Sequence, residues 1–383
     1  MERVHINASQ VHGSIHGDDS DTRQLHARDE TESSLQELAN SERTQHQDTA
    51  ERSVEHQPEM SSDHPARRLE LDITNAQTEI RRDYLHEYYV LVAPKRKNRP
   101  YDTSGSEHLM VESADSPRLD LQPSVLEIPS TESGRAWDVK VVQNKYPALT
   151  LDNPHAYGKQ EIVIDTPLSN TPFGKLDVAQ ITTILQAYRQ RSTELHKNTH
   201  IKYVSIFRND GYEAGASLAH AHSQIIALPI APPQIVHEAE ACAAYFEKFN
   251  TDPYDAIIAF EQKNKLRIID QNEDWIAVCP YASKWQMEAW ILPKRTMQLL
   301  DEAQDQELTS VASLLTPLTK ALSNTNISYN LIIEQGIIPS QRLTLKLCGR
   351  NVMSPWGGLE VATGVIVNVI PPESAAAWYR SQI

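Results

Sequence analysis

Residues 215–227 read GASLAHAHSQIIA and set His220, His222 and Gln224 two apart in an apolar, strand-like run. Successive side chains of a strand alternate faces, so the pattern predicts these three on one face and Ala219, Ala221 and Ser223 on the other. A neutral imidazole in such a row is competent to attack phosphorus, and a neighbouring amide to hold a phosphoryl oxygen as charge builds there. Gly215, Ala216 and Ser217 form a tight approach suited to presenting backbone N–H groups and a hydroxyl to a phosphate. Taken alone, the spacing equally fits half of a metal site, or histidines hydrogen-bonded within a core.

Working outward, residues 88–93 form a short β-rich run and residues 95–100 a cationic turn closed by proline. Residues 103–135, rich in Ser, Glu, Asp and Pro, predict a loop insertion. Strands are expected at 139–142, 162–164 and 202–208, with a helix at 177–196. In that helix Val178, Ile181, Leu185, Tyr188 and Leu195 fall near helical spacing, which makes its aromatic a core residue. From about residue 236 the theme repeats. Helices are expected at 237–249, 254–264 and 304–323, and strands at 267–270, 275–279, 289–292, 329–334, 343–348 and 364–369. This order predicts an α+β fold of two sheet-and-helix units, residues 73–235 and 236–383.

Residues 1–72 differ from the rest, with no Phe, Tyr or Trp and a dense mix of Asp, Glu, Ser, Gln and Arg. Such a segment buries too little apolar surface to offset the entropy of ordering, so a disordered tail is expected. Its seven histidines, His5, His12, His16, His26, His46, His56 and His64, are irregularly spaced and suit a solvated tail better than a metal site.

At 383 residues the chain is long enough for two domains, its 40% hydrophobic content is enough to close cores, and the formal charge of −15 argues against general attraction to nucleic acid or anionic membrane. No apolar run approaches the roughly 18 residues of a membrane span and nothing near residue 1 reads as a secretory signal, so a cytoplasmic protein is expected. Cys242, Cys279 and Cys348 are far apart and read as reduced core residues.

The stretch 204–229, VSIFRNDGYEAGASLAHAHSQIIALP, resembles the active-site segment of the galactose-1-phosphate uridylyltransferase family within the histidine-triad superfamily. The resemblance extends to YYVLVAPKRKNRP at 88–100, VQNKYPAL at 142–149, AYGKQEIVIDTP at 156–167, residues 275–295, and LEVATGVIVNVIPPESA at 359–375. It covers about residues 76–383 in one collinear order.

That resemblance implies two tandem histidine-triad-like domains, each an antiparallel sheet with packed helices. It also implies a two-step transfer of UMP from UDP-glucose to a hexose 1-phosphate such as galactose 1-phosphate. His222 is then the nucleophile that carries the nucleotide, Gln224 and Ser217 donate to phosphate oxygens, and His220 is the first histidine of the motif. Arg96 and Arg99 are expected to clamp phosphate or nucleotide, Asn144 to lie near base and ribose, Asn209 to contact phosphate, and Glu360 and Asn368 to hold sugar hydroxyls. A homodimer with shared sites follows from the resemblance alone. A sugar-nucleotide phosphorylase acting on ADP-glucose, or a nucleotide-binding protein without turnover, would use the same frame.

Departures from the family pattern bear on metals. Zinc-containing relatives use a C-x-x-C pair, the histidine of Y-G-x-H-E and the first histidine of H-x-H. This chain has no C-x-x-C and carries Gln160 in place of the second ligand, so His220 alone remains. Of the iron-type ligands Glu238 is retained, while Thr296 and the stretch 341–350, QRLTLKLCGR, replace the histidines. No cofactor is therefore expected, although family inheritance suggests zinc. With Arg342 and Thr344 where the second unit would carry H-x-H, that unit is expected to be catalytically silent.

Overall fold

A computed structural model describes residues 79–86, 89–92, 123–145, 147–168, 171–216, 220–350 and 357–383, all within one compact unit spanning Ser61–Ile383. The polar segment 1–72, the turn carrying Arg96 and Arg99, and Ser217 lie outside the described residues.

In chain order the first half contributes β1 (Glu79–Arg82), β2 (Tyr89–Val92), β3 (Ser124–Pro129), β4 (Trp137–Gln143), β5 (Lys159–Ile164), α1 (Val178–His196), β6 (Tyr203–Asp210) and β7 (His222–Leu228). The second contributes α2 (Pro233–Phe249), α3 (Pro253–Asn264), β8 (Ile268–Gln271), β9 (Trp275–Val278), β10 (Gln286–Pro293) and α4 (Asp305–Asn324). It continues with β11 (Tyr329–Glu334), β12 (Thr344–Gly349), α5 (Gly358–Thr363), β13 (Ile366–Asn368) and α6 (Pro372–Gln382).

Strands β3 to β12 form one ten-stranded sheet ordered β3-β4-β5-β7-β6-β11-β12-β10-β9-β8, antiparallel at every neighbouring pair. Read outward from its centre, the order is β6-β7-β5-β4-β3 on one side and β11-β12-β10-β9-β8 on the other. Each run places one long helix between its third and fourth strands in sequence, α1 before β6 and α4 before β11. The fold is thus α+β and internally duplicated, with β6 and β11 paired at the joint, where Asn209 stands opposite Asn330. A separate small sheet sets β2 between β1 and β13.

The sequence shows why these elements form. Asp177 caps α1 by accepting the Gln180 N–H at 2.8 Å, and Ile181, Ile184, Leu185 and Tyr188 repeat at helical spacing below it. They pack with Val139, Val163, Ile206 and Ile225 of the sheet and with Leu308, Val311, Leu315 and Leu318 of α4 in one core that runs through both halves. Each such aliphatic side chain contributes roughly 1.5–3 kcal/mol by leaving water. Within that core Glu161 of β5 receives both Nε and Nη2 of Arg191 at 2.8 Å, pinning α1 to the sheet. Cys242, Cys279 and Cys348 are buried free thiols.

One sequence expectation is corrected. The segment 103–135 is not all loop, because residues 124–129 form edge strand β3. Leu126 and Ile128 alternate onto the core while Val125 and Glu127 face water. Two register shifts and Pro129 at its end disfavour further pairing on that edge. No helix among the described residues is long and apolar enough to cross a membrane.

Candidate active site

The strand that carries the motif is shorter than the alternation suggests. β7 begins at His222, and His220 sits in a bend before it. His222, Gln224 and Ile226 share one face of the sheet, while Ser223, Ile225 and Ala227 face the helices. His220 lies outside the strand and its Nε2 donates to the Thr166 carbonyl at 2.7 Å, on the neighbouring segment after β5.

Nδ1 of His222 lies 2.8 Å from the carbonyl oxygen of His220. A carbonyl only accepts, so Nδ1 is the protonated nitrogen and Nε2 of the neutral ring keeps its lone pair. The ring is buried at 7% exposure, and that burial lowers its pKa from the ordinary value of 6.5. The His220 carbonyl opposes the shift, and the positive charge of Arg208 adds to it.

Gln224 is oriented by a relay. The Ala148 N–H donates to Gln160 Oε1 at 3.0 Å, which leaves the Gln160 amide nitrogen to donate to Gln224 Oε1, also at 3.0 Å. The Gln224 oxygen is thereby engaged, and its NH2 is the group left to donate on the His222 face. Asn144 donates its backbone N–H to the Gln160 carbonyl at 3.0 Å, so the structure brings it to the same end of the row. Beside the polar row Val142, Ile162 and Ile164 form a small apolar cluster, with Ile164 paired to His222 and Ile162 to Gln224.

A short loop leads into the motif. Gly211 and Gly215 hold φ of +86° and +84°, conformations that favour glycine, and a Cβ at Gly211 would strike the Ser328 side chain. The Ala216 N–H donates to the Gly211 carbonyl at 3.1 Å, closing the loop just before Ser217. Asn209 donates its side-chain amide to the Gly215 carbonyl at 3.2 Å. Asn330 of β11, a residue the sequence reading passed over, donates to Asn209 Oδ1 at 2.8 Å and to the Ala214 carbonyl at 2.9 Å. The second half thus braces the loop of the first.

The two remaining candidates lie elsewhere in the chain. Glu360 is half-buried on α5. Asn368 on β13 is 1% exposed, and its amide nitrogen is spent on the carbonyls of Ser283 and Trp285 at 2.9 and 3.0 Å.

The residues at the family's metal positions do not fit an ion. Gln160 is committed through both ends of its amide, and His220 donates Nε2–H to a carbonyl. Glu238 accepts from His86 Nε2 at 3.0 Å and from the Tyr254 hydroxyl at 3.1 Å. Arg342 holds Asp252 and Asp255 at 3.0 and 2.5 Å, and the Thr344 hydroxyl donates to the Arg342 carbonyl. Among the described residues no group of three or more His, Cys, Asp or Glu side chains converges to hold a metal.

A cavity of about 100 Å3 between the segment after β1 and the second half is lined by Asp83, His86, Glu238, Glu288, Glu334 and Lys346 among others. Its charges are paired internally, His86 lying between Asp83 and Glu238, and Lys346 on Glu334. Glu288 accepts instead from the Trp285 backbone N–H and the Trp290 indole, and these mutual bonds make the cavity a structural feature in our reading.

With this geometry in hand, sequence comparison places the chain. A model of the N-terminal domain of galactose-1-phosphate uridyl transferase matches residues 67–232, and one of the C-terminal domain matches residues 238–340. The chain is 26% identical over 338 residues to ADP-glucose phosphorylase of Arabidopsis thaliana, across 80% of this chain and 94% of that protein. It is 27% identical over 305 residues to galactose-1-phosphate uridylyltransferase of Thermotoga maritima, across 72% and 95%. The crystal structure of the Arabidopsis phosphorylase with bound ADP-glucose superposes with a TM-score of 0.68 at 26% identity, covering 79% of this chain and 99% of that one. The two domain matches together span most of the chain, and the protein belongs to the galactose-1-phosphate uridyl transferase family.

Proposed function

We propose that the chain is a nucleotidyltransferase acting on a nucleoside-diphosphate sugar, with His222 as nucleophile. The observation that carries this reading is the His222 Nδ1–H bond to the His220 carbonyl, which leaves Nε2 unprotonated on the face that also presents the Gln224 amide. In the first step the Nε2 lone pair forms a bond to the α-phosphorus. The bond to the bridging oxygen breaks, and that oxygen leaves with the electron pair as sugar 1-phosphate. In the second step a phosphate oxygen of the acceptor attacks the same phosphorus, and the N–P bond breaks to restore the neutral ring. The covalent intermediate spares two anions from meeting directly. Nδ1–H stays on the His220 carbonyl throughout and steadies the cationic character of the substituted ring.

Gln224 is the donor to a non-bridging oxygen, a contact worth about 2.7–4 kcal/mol in a transition state. Ser217 is assigned to the leaving phosphate by resemblance, and Arg96 and Arg99 to the nucleotide. The donor and acceptor we propose are UDP-glucose and a hexose 1-phosphate, galactose 1-phosphate, in a cytoplasmic homodimer. Similarity to the Arabidopsis protein supports a second reading, in which ADP-glucose is the donor and inorganic phosphate the acceptor. Both use the same first step.

Incubating the full chain with UDP-glucose or ADP-glucose, each paired with galactose 1-phosphate or phosphate, separates the two. New UDP-galactose from the first pairing supports the uridylyl reading, and ADP formed from ADP-glucose and phosphate supports the phosphorylase. Glucose 1-phosphate released from neither donor contradicts both.

A further inference from the structure

We propose that Asp165 and Arg208 form a buried positioning pair that holds the backbone of residues 220–222, and through it the tautomer and aim of the His222 ring. The inference rests on the role of His222 proposed above.

On the helix side of the sheet, opposite the His222 ring, Arg208 Nη1 bonds the Asp165 carboxylate and also donates to the His222 carbonyl at 3.0 Å. The ladder between β6 and β7 ends at the Phe207–Gln224 pair, so the His222 carbonyl lies beyond it and receives a guanidinium N–H instead. On the other flank the β5 ladder ends at Ile164–His222, and the Asp165 N–H continues it by donating to the Ala221 carbonyl at 3.1 Å. One residue therefore holds Ala221 through its backbone and His222 through the arginine on its carboxylate.

Both groups are themselves fixed. Asp165 is fully buried and accepts the Ser223 hydroxyl at 3.2 Å, and Ser223 in turn accepts the Tyr188 hydroxyl at 2.5 Å. Arg208, 3% exposed, also donates from Nε and Nη2 to Asp210 at 3.1 and 3.0 Å and lies over the Phe173 ring.

The link to chemistry is geometric. The bond that fixes the nucleophile's tautomer runs from the His222 side chain to the main chain two residues back. It depends on the orientation of the peptide units at 220–222, of which His220 is also anchored by its own Nε2–H bond to the Thr166 carbonyl. The pair holds the carbonyls of Ala221 and His222 that follow His220, so slackening the pair lets the ring turn, exchange tautomers and leave the line of attack. Asp165 and Arg208 are thus positioning residues that touch neither substrate nor phosphorus.

The test uses the full chain labelled with 15N-histidine, with the His222 resonances assigned by their loss in His222→Gln. Asp165→Asn keeps shape and removes charge, but leaves Arg208 with Asp210 as its remaining carboxylate. Should that variant not fold, Asp165→Asn combined with Arg208→Met removes both fully buried charges, and adding Asp210→Asn neutralises the carboxylate that Arg208 also holds. Wild type is expected to show a single Nδ1–H tautomer at His222, and the variants a mixture. Turnover is expected to fall about 10²-fold in kcat with KM unchanged, the signature of a misplaced nucleophile rather than a lost binding contact. An unchanged tautomer and kcat in a folded double variant overturns the proposal. If wild type turns over no nucleotide sugar, the proposed reaction fails, while the tautomer measurement still decides for or against the positioning pair.

Discussion

The His222 ring and the His220 carbonyl, 2.8 Å apart, are donor and acceptor of a hydrogen bond closed within three residues of chain. It decides which imidazole nitrogen is available, and several measurable consequences follow from its surroundings.

Gln224→Ala removes the donor aimed at the α-phosphoryl oxygen, and kcat should fall about 10²–10³-fold. Gln160→Leu removes only the group that orients it, so a loss of about tenfold, ~1.4 kcal/mol, is expected. Steady-state kinetics on both variants checks the order. Equal losses would mean that the relay from Ala148 through Gln160 does not set the amide's orientation.

Activity should resist mild acid. Protonated His222 cannot attack, but burial places its pKa below 6.5, so the half-maximal point of kcat/KM on the acid side should lie below pH 6.5. The sign for stability is separate. The unfolded chain takes a proton at about pH 6.5 and the folded one at lower pH, so this histidine subtracts stability as pH falls through that interval. A half-maximal rate above pH 6.5 would contradict the assignment.

His86 works in the opposite sense. Burial disfavours its charge, but the Asp83 and Glu238 carboxylates outweigh that and raise its pKa to about 9. Its contribution is fully present below the unfolded value of about 6.5 and is lost as pH rises through about 9, at most ~3 kcal/mol for the shift. Denaturant melts from pH 6 to 10 should show this alkaline loss in wild type and not in His86→Gln.

Metal analysis of purified protein should find no stoichiometric zinc or iron, and chelators should leave turnover unchanged, because Gln160, Arg342 and Thr344 are held by protein partners. One tightly bound zinc per chain would overturn this.

The chain declares much of its architecture. Asp177 ahead of an apolar helical stripe marks α1, and the repeated order of strands and helix marks the duplication. His222 and Gln224 are legible because period-two spacing survives from His222 onward. His220's departure is not, since the bend depends on the Thr166 carbonyl, 54 residues earlier. The Asp165–Arg208 pair had a signal that went unread. Arg208 falls in phase with Val204 and Ile206, and Asp165 with Glu161 and Val163, so each charge sits on a core-facing register and requires a buried partner. Spacing alone could not say that they answer each other, because β7 lies between their strands. Asn330 was hidden for a similar reason, as its role exists only where the two halves join.

The central claim is that His222 carries the nucleotide, and trapping the intermediate tests it most directly. Protein mixed with a sugar nucleotide labelled in the α-phosphate and quenched in alkali should retain label that survives base and is released by acid. A His222→Gly variant with an unchanged melting profile should retain none. Label of the same stability on that variant would place the nucleophile elsewhere and contradict the account.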